Sequence, residues 1–355
     1  MEDNKLFAVI IAGGRGTRFW PLSRNTRPKH LLAISGGLPL LRQTVDRILP
    51  LVGPERVLVV TTNDQAGEVK SLLADVPPGN ILVEPAGKNT APAIALAAAH
   101  VLDRAEDAVM AVLPADHIVS PDGNFLSDLR DGAELARASG RFVTLGVRPT
   151  RPETGYGYIE VGEKLGKKAF AVASFTEKPN RKKARDYIGA GRYLWNSGMF
   201  LFPARRLMEK IKTHVPALYS GWETYRSGGR TREDVEKFYS GLEPVSIDFA
   251  IMEKCAADSA VLNASFDWSD VGSWEAIDEL WGADAAGNRS NDCVVVSLAS
   301  KGNTVVSRKL VALLGVENLI VVETNDAILV CAKDRAQEIK SLVGEMERRG
   351  LDKYL

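Results

Sequence analysis

The residues best suited to chemistry form a glycine-rich, basic loop near the N-terminus, IAGGRGTRFWPLSRNTRPKH at 11–30. It follows the apolar run KLFAVI, which predicts a buried strand, and such a loop lets backbone approach a phosphate closely. Two standard patterns do not fit. Thr17-Arg18 follows Gly16 where the Walker motif has Lys-Ser/Thr, and Phe19 stands where the dinucleotide pattern needs a third glycine. We predict a phosphate-binding loop of a third type.

The same stretch carries a local excess of positive charge. Between Asn4 and Val45 there is no Asp or Glu, and the cations there are Lys5, Arg15, Arg18, Arg24, Arg27, Lys29 and Arg42. A solvated basic surface would give this pattern, but the interleaved Gly and Pro favour a small anionic ligand. The whole chain has 45 basic and 45 acidic residues, so its net charge does not point to nucleic acid or to an anionic membrane.

Two isolated carboxylates are candidate metal ligands. Asp116 follows an apolar strand in VLPADHIV, and a carboxylate at such a position facing a phosphate loop suits Mg²⁺. Asp270 occurs far away, in FDWSDVGSWEAI. Each also has a structural explanation, since Asp116 could cap a helix or hold a loop and Asp270 could cap the helix that starts near Gly272.

Four further segments could contact a ligand. In LVEPAGKNTAPAIALAAA, Asn89 or Thr90 is placed to cap an Ala-rich helix whose N-terminus could face an anion. GYGYIE at 155–160, FTEKP at 175–179 and WNSGMF at 195–200 combine small residues with an amide, a carboxylate or an ammonium. These groups could bind sugar hydroxyls, although structural turns would look the same.

Other chemistries are disfavoured by the composition. The three cysteines are far apart without a CxxC pair, and the four histidines lack metal spacing. This argues against a zinc cluster and for a reducing compartment. No apolar run approaches a membrane span, and no signal-peptide core begins the chain, so we expect a cytoplasmic protein.

The elements that must position these residues alternate between strand and helix. Strands are predicted at 6–11, 56–62, 80–85, 107–116 and 141–147, and helices at 40–49, 64–74, 91–104 and 124–139. This spacing predicts an α/β fold with a mostly parallel sheet covered on both faces. Ligands bind beyond the carboxyl ends of such strands, which would bring the loop and Asp116 together.

The rest of the chain differs in pattern. Residues 148–280 contain short strands (GYGYIEV, AFAVASFTEK and MFLFP) and helical patches at 180–190, 204–213 and 231–240, and they predict an elaborated lid on the same sheet. Beyond the turn-rich WGADAAGN at 281–288, short β-rich runs punctuated by Gly and Asn predict a small β-solenoid without a strict repeat and a closing helix near 334–350. We therefore expect a catalytic domain at 1–283 and a β-rich module at 284–355.

Together these segments resemble the sugar-1-phosphate nucleotidyltransferases. GGRGTRFWPLSRNTRPKHLL is similar to their GGxGxRLxPLT/S…PKxLL signature, with His30 and Phe19 as mild departures. The blocks WPLS, KNTAPAI, LPADH, GYGYI, FTEKP, LWNSGMF, SIDFAIMEK and WSDVGSW resemble the mannose-1-phosphate guanylyltransferases, in family order over about 6–280. With its end at Leu355, the chain resembles the short monofunctional form of the family, which lacks an isomerase domain.

The resemblance implies roles for individual residues. Arg15 and Lys29 match positions that contact phosphates and the reacting phosphoryl group, and Asp116 and Asp270 match the pair that holds Mg²⁺. It implies nucleotide contacts at Ala12, Gly13, Gly14, Gly16, Thr17 and Arg18, with Glu84, Asn89 and Thr90 beside guanine. It implies sugar and sugar-phosphate contacts at Gly157, Glu177, Lys178 and Asn196.

The implied reaction transfers GMP from GTP to mannose 1-phosphate and forms GDP-mannose and pyrophosphate by in-line attack. The partners are then these two substrates, Mg²⁺ and a second copy of the chain, since the β-helical module of the short form can mediate dimerisation. One alternative is a relative that uses another nucleotide or hexose 1-phosphate. The other is a non-catalytic nucleotide-sugar-binding regulator, which would be expected to lose the phosphate-loop arginine or a metal carboxylate, whereas Arg15, Lys29, Asp116 and Asp270 are all present.

Overall fold

A computed structural model describes residues 5–35, 37–291 and 293–355, except for the side chain of residue 279. The chain divides into two compact units whose segments alternate along the sequence. Unit 1 comprises the residues up to Gly13 together with 44–115 and 119–268. Unit 2 comprises 14–43, 116–118 and 269–355, so it contains most of the glycine-rich loop as well as the C-terminal region.

The strands and helices follow one another in the order expected for an α/β protein with a C-terminal β module. The strands are β1 (Leu6–Ala12), β2 (Val57–Thr62), β3 (Ile81–Glu84), β4 (Val109–Pro114), β5 (Ile118–Ser120), β6 (Phe142–Val147), β7 (Tyr158–Lys164), β8 (Ala169–Thr176), β9 (Tyr193–Pro203), β10 (Ser259–Asn263), β11 (Asp267–Ser269), β12 (Arg289–Asn291), β13 (Val295–Leu298), β14 (Thr304–Val306), β15 (Val311–Leu314), β16 (Leu319–Glu323) and β17 (Ile328–Ala332). The helices are α1 (Leu40–Val52), α2 (Ala66–Leu72), α3 (Thr90–Arg104), α4 (Asp122–Ser139), α5 (Arg181–Ala190), α6 (Ala204–His214), α7 (Pro216–Ser227), α8 (Arg232–Tyr239), α9 (Ile277–Leu280) and α10 (Ile339–Arg348).

Unit 1 is built on a nine-stranded mixed sheet with the order β3-β2-β1-β4-β9-β6-β10-β8-β7. β1 is parallel to β2 and to β4, and β2 is parallel to β3. The carboxyl ends of these four strands therefore lie at one edge of the sheet, where β1 ends at Ala12 and β3 ends at Glu84. This is the edge at which α/β sheets bind ligands.

Helices cover both faces of this sheet, as the alternation of side chains along β9 demonstrates. Phe200 and Phe202 of β9 are buried in one hydrophobic cluster with residues of α3, α6 and α7. Leu201 points to the opposite face, where α4 approaches so closely that a Cβ on Gly132 would lie 2.9 Å from a Leu201 methyl group. The predicted α/β architecture is confirmed.

The prediction of a lid over residues 148–280 was wrong in one respect. β9 and β10 from this segment lie inside the central sheet, with β9 antiparallel to β4 and β6. The sequence pattern revealed only the last five residues of this eleven-residue strand, because its first half carries polar and aromatic residues. Helix α7 was not predicted.

The C-terminal part of unit 2 is a small stack of parallel coils. β12, β14 and β16 pair in parallel, β13 pairs in parallel with β15, and β17 closes the larger sheet antiparallel to β16. Asparagines at 288 and 303 join successive coils, because the Asn303 amide donates to Asn288 Oδ1 at 3.0 Å and the Leu319 amide donates to Asn303 Oδ1 at 2.9 Å. The Gly-Asn pairs at 287–288 and 302–303 are fifteen residues apart and mark a local repeat, where the sequence pattern had predicted no strict repeat.

Helix α10 packs onto a hydrophobic cluster of unit 2 that includes Phe19, Trp20, Ile339 and Val343. The β module and its closing helix confirm the predicted class of the C-terminal region, whereas the domain boundary between residues 283 and 284 stays a prediction. Among the described residues, no helix has both the length and the apolar character needed to cross a membrane.

Candidate active site

Unit 2 contains a polar cleft of about 270 Å³ formed by the glycine-rich loop and three distant parts of the chain. The residues that line it are Gly16, Thr17, Arg18, Phe19, Lys29, Asp116, His117, Asp270, Gly272 and Lys340. The prediction that the loop and Asp116 lie close together is therefore confirmed within this unit, and Asp270 lines the same cleft. The lining includes both cations and carboxylates, and cations suit a ligand that carries phosphate groups.

Lys29 is the central cation of this cleft. Its ammonium lies 2.8 Å from Asp116 Oδ2 and also donates to the backbone carbonyl of Asp270. The Lys29 side chain is buried, so its charge is held in place by these two acceptors. Burial raises the pKa of Asp116, but the Lys29 ammonium, together with His117 and His30, lowers that pKa to about 2. Asp116 is ionised at neutral pH.

Gly16 allows the loop to approach Lys29. Its φ of 61° lies in the left-handed region, and a Cβ at this position would be 2.5 Å from the Lys29 Cβ. Only glycine combines this backbone conformation with this approach at low cost. The Ser23 hydroxyl donates to the Gly16 carbonyl at 2.8 Å and holds the loop from its other side.

The two carboxylates of the cleft match the donor set of Mg²⁺. Asp116 lies in the connection between β4 and β5 and not at the start of a helix, so its capping explanation was wrong. Asp270 Oδ1 accepts from the Gly272 amide at 3.1 Å, which fixes a turn rather than a helix end. Mg²⁺ takes one or two protein carboxylates and completes its shell with water and substrate phosphates. Asp116 and Asp270 therefore fit this ion.

Arg15 and Arg18 take different positions. Arg18 lines the cleft, whereas Arg15 is mostly exposed and its guanidinium lies 2.9 Å from Glu347 Oε1 of α10.

His30, the residue after Lys29, has a buried imidazole. Burial lowers the pKa of His30 to about 4, so that this side chain is neutral at pH 7.

In unit 1, Glu84 is a buried carboxyl at the carboxyl end of β3. Its Oε2 accepts a hydrogen bond of 3.0 Å from the Tyr239 hydroxyl of α8. Its Oε1 lies against the backbone of Gly13 and Gly87, where a Cβ would be 3.9 and 4.0 Å away. Burial raises the pKa of Glu84 to about 7, although the bond from Tyr239 opposes the shift.

Asn89 and Thr90 begin helix α3 and use their side chains locally. Asn89 Oδ1 accepts from the Thr90 amide at 2.9 Å, and the Thr90 hydroxyl accepts from the Ile247 amide at 2.8 Å. The Ala91 amide donates to the Val245 carbonyl at 3.1 Å. The start of α3 is thus tied to the segment that leads into Asp248.

Gly157, which precedes β7, and Glu177, which follows β8, come together with Asn196 of β9. The Asn196 amide donates to the Gly157 carbonyl at 2.8 Å, and a Cβ on Gly157 would lie 2.5 Å from Glu177 Oε2. The Glu177 side chain is only 8% exposed, and its Oε1 pairs with the Lys178 ammonium at 2.9 Å. Glu177 Oε2 is buried without a hydrogen-bond partner among the described residues, so this acceptor has unused hydrogen-bonding capacity.

Asp248 belongs to the same group, although the sequence analysis assigned it no role. The Asn196 side-chain amide donates to Asp248 Oδ1 at 2.8 Å. Burial, followed by the nearby Glu177 charge, raises the pKa of Asp248 to about 6. The only sequence signal was its place in SIDFAIMEK, because no spacing rule connects residue 248 with residues 177 and 196.

Comparison with known proteins agrees with this architecture. The family model named nucleotidyl transferase matches residues 7–286, and one named MannoseP isomerase/GMP-like beta-helix domain matches residues 294–346. The chain is 39% identical over 348 residues to the xanthan biosynthesis protein XanB of Xanthomonas campestris pv. campestris (strain B100), covering 96% of this chain and 73% of XanB. It is 38% identical over 367 residues to mannose-1-phosphate guanylyltransferase of Escherichia coli (strain K12), covering 99% and 75%.

A solved structure is similar over nearly the whole chain. It is named mannose-1-phosphate geranyltransferase and comes from Thermus thermophilus, with a TM-score of 0.89 and 38% identity, and the match covers 97% of this chain and 99% of that one. The fold of both the sheet and the β module is therefore shared with a known protein.

Proposed function

Because this chain belongs to the mannose-1-phosphate guanylyltransferase family of nucleotidyl transferases, we propose that it transfers GMP from GTP to mannose 1-phosphate. The phosphate oxygen of the sugar attacks the α-phosphorus of GTP, the bond between the α-phosphorus and the bridging oxygen breaks, and pyrophosphate leaves. The observation that carries the proposal is the cleft in which Lys29, Asp116 and Asp270 meet the glycine-rich loop.

The chain's own work in this reaction is to position and neutralise phosphates. Two anionic substrates repel each other, and a preorganised cation offsets that repulsion without reorganisation at the moment of reaction. Lys29 suits this role because Asp116 and the Asp270 carbonyl already hold its ammonium. We assign Arg15 to the α-phosphate and the leaving pyrophosphate, and the loop residues Ala12, Gly13, Gly14, Gly16, Thr17 and Arg18 to nucleotide binding. No nucleophilic side chain is needed.

Mg²⁺ would be held by Asp116 and Asp270. When bound, it supplies positive charge to the phosphates and lowers the cost of bringing them together. The ionised state of Asp116 at neutral pH supports this assignment.

We assign guanine recognition to Glu84, with the backbone near Asn89 and Thr90. Guanine presents two N–H donors on its Watson–Crick edge, and an ionised carboxylate can accept both. Tyr239 donates to Oε2 of Glu84, and each oxygen of an ionised carboxylate accepts more than one hydrogen bond, so both oxygens keep capacity for the base. The side chains of Asn89 and Thr90 are bound locally, which favours backbone contacts there.

We assign the mannose ring to Gly157, Glu177, Asn196 and, newly, Asp248, and the sugar phosphate to Lys178. The buried, unpartnered Oε2 of Glu177 is an acceptor for a sugar hydroxyl. Glycine is required at position 157 because a Cβ there would lie only 2.5 Å from this oxygen. The Lys178 ammonium pairs with the other oxygen of Glu177 and supplies a positive charge beside the ring.

We also propose that two copies of the chain associate through the β module. Val296 and Leu298 of β13 lie beside Ala312 and Leu314 of β15 in parallel register, and their side chains face the same way. Leu298 is 68% exposed and Leu314 is 72% exposed. A contiguous apolar face of this kind marks an interaction surface.

A cytoplasmic location stays a prediction, supported by the three cysteines, which form no disulfide in the described part of the chain.

The direct test is pyrophosphate release with Mg²⁺, measured for GTP, ATP, UTP and dTTP against mannose, glucose and galactose 1-phosphate. We expect a signal confined to GTP with mannose 1-phosphate. A different best pair would retain the reaction class and correct the base or sugar assignment. Silence in every combination from folded protein would favour a non-catalytic binding protein.

A further inference from the structure

Helix α10, at the C-terminal end of unit 2, packs on the phosphate loop. Ile339 and Val343, one turn apart, are buried in the hydrophobic cluster that contains Phe19 and Trp20 of the loop. The helix is therefore anchored to the loop by its apolar face. Its polar residues at 340 and 347 are seven apart, which places them two turns apart on one side of the helix.

Lys340 is the first of these polar residues, and its side chain lines the cleft together with Arg18, Lys29, Asp116 and Asp270. The residue is exposed to solvent, and its ammonium carries three hydrogen-bond donors. A cation that lines a phosphate cleft contributes binding free energy through charge-assisted hydrogen bonds to phosphate oxygens.

Glu347 is the second polar residue, and it pairs with Arg15. The guanidinium of Arg15 lies 2.9 Å from Glu347 Oε1, and the two side chains are 60% and 44% exposed. An exposed ion pair of this kind is weak. A polyphosphate can therefore replace the Glu347 carboxylate, because it offers Arg15 more negative charge and more acceptor oxygens.

We propose that α10 is part of the phosphate site: Lys340 binds a phosphate group of the nucleotide or the leaving pyrophosphate, and Glu347 holds Arg15 until the polyphosphate takes its place. The inference rests on the proposed function and extends it to a helix that neither the loop signature nor the reaction scheme includes. Removing Lys340 weakens polyphosphate binding, whereas removing the Glu347 charge strengthens it, because Arg15 then has no competing carboxylate there.

The experiment compares K340A, K340R and the matched control K353A in the full-length chain. Lys353 is also an exposed lysine of unit 2, but its ammonium lies 4.7 Å from the Tyr354 ring centroid and it does not line the cleft. We expect K340A to raise the KM for GTP and the inhibition constant of inorganic pyrophosphate about tenfold, the scale for one charge-assisted bond. K340R should have a KM for GTP and an inhibition constant of pyrophosphate close to those of the wild type. In both variants, the KM for mannose 1-phosphate should be unchanged.

The second pair of variants is E347Q and its control E345Q. Glu345 pairs with Arg348 of α10 and with Arg349 just beyond it, and not with Arg15. We expect E347Q to lower the KM for GTP about twofold to fourfold, the scale for loss of an exposed ion pair, and E345Q to leave it unchanged. GTP binding measured by calorimetry without the sugar phosphate should follow the same order.

The outcomes separate this inference from the function on which it rests. If the wild-type protein releases no pyrophosphate with any substrate pair, the proposed function is wrong. Active wild-type protein with K340A indistinguishable from K353A, or with E347Q indistinguishable from E345Q, would overturn the inference and leave the function intact. Melting temperatures of all variants identify any loss of folding.

Discussion

The Tyr239 hydroxyl donates a hydrogen bond of 3.0 Å to Glu84 Oε2 at the carboxyl end of β3. Burial raises the pKa of this carboxyl to about 7, and the bond from Tyr239 opposes the rise. Glu84 thus changes its charge within the range in which enzymes are assayed. If it accepts the N–H groups of guanine, its ionisation state controls the affinity for GTP.

We predict that kcat/KM for GTP rises with pH through a midpoint near 7 and that E84Q removes this limb. The ionised carboxylate accepts two guanine N–H groups, whereas the neutral form or an amide leaves a donor unmatched. E84Q should lower kcat/KM for GTP on the order of 100-fold, with less effect on inosine triphosphate, which lacks the amino group. Initial rates between pH 5.5 and 8.5 measure both effects.

Y239F provides the companion test, because the lost bond had lowered the pKa of Glu84. The midpoint should move to higher pH. The control is Y219F, since the Tyr219 ring packs near Trp222 and not against Glu84. If the midpoint of the pH profile does not shift in Y239F, Glu84 is not the group that titrates.

Folding stability should depend on Glu84 with a definite sign. Its pKa is about 7 in the folded chain and 4.5 ordinarily, so the folded state binds more protons between these values. Stability therefore falls as pH rises from about 4.5 to 7. The loss is about 3 kcal/mol at most, because one pKa unit is about 1.4 kcal/mol. Urea denaturation at pH 5 and pH 8 should give a larger difference for wild type than for E84Q.

We predict that D270N lowers kcat on the order of 100-fold while the fold is retained, as expected when an electrostatic contact to the reacting phosphates is lost. The defect should deepen when Mg²⁺ is limiting, and a chelator should abolish wild-type activity. The matched control is D267N, an exposed carboxylate on β11. Identical kinetics for D270N and wild type at limiting Mg²⁺ would refute the metal assignment.

Substitutions around the proposed sugar site should affect one substrate only. G157A introduces a Cβ only 2.5 Å from Glu177 Oε2. D248N replaces the carboxyl group that Asn196 contacts with an uncharged amide. Each should raise the KM for mannose 1-phosphate about tenfold and leave the KM for GTP unchanged. G189A is the control, because a Cβ there meets nothing within 4 Å. Equal effects on both KM values would argue for general distortion.

We predict that L298K combined with L314K converts a dimer into a monomer. The two leucines are neighbours on the exposed face of β13 and β15, and two charges there would oppose burial against a second copy. Light scattering after size exclusion measures the mass. L165K, on an exposed leucine outside the β module, should leave the mass unchanged, and an unaltered dimer in the double variant would exclude this face.

Local sequence patterns were sufficient for the parallel half of the sheet and for the residues of the phosphate loop. β1, β2, β4 and β6 are continuous buried runs bounded by turn residues, and their positions follow from hydrophobicity alone. The loop was recognisable because glycine at 16 and the absence of acidic residues are local properties. The structure agrees with the patterns at these places because the local preference and the tertiary contacts favour the same conformation.

Tertiary structure decided the features that join distant segments. β9 reads as a strand over only part of its length, since it mixes polar and apolar residues and gains its position from two antiparallel neighbours. Asp248 acquires its raised pKa, and Lys340 its place in the cleft, from residues far away in the chain. Burial, charge proximity and cleft geometry depend on distances in space, so the sequence determined which groups are available and the fold determined which of them meet.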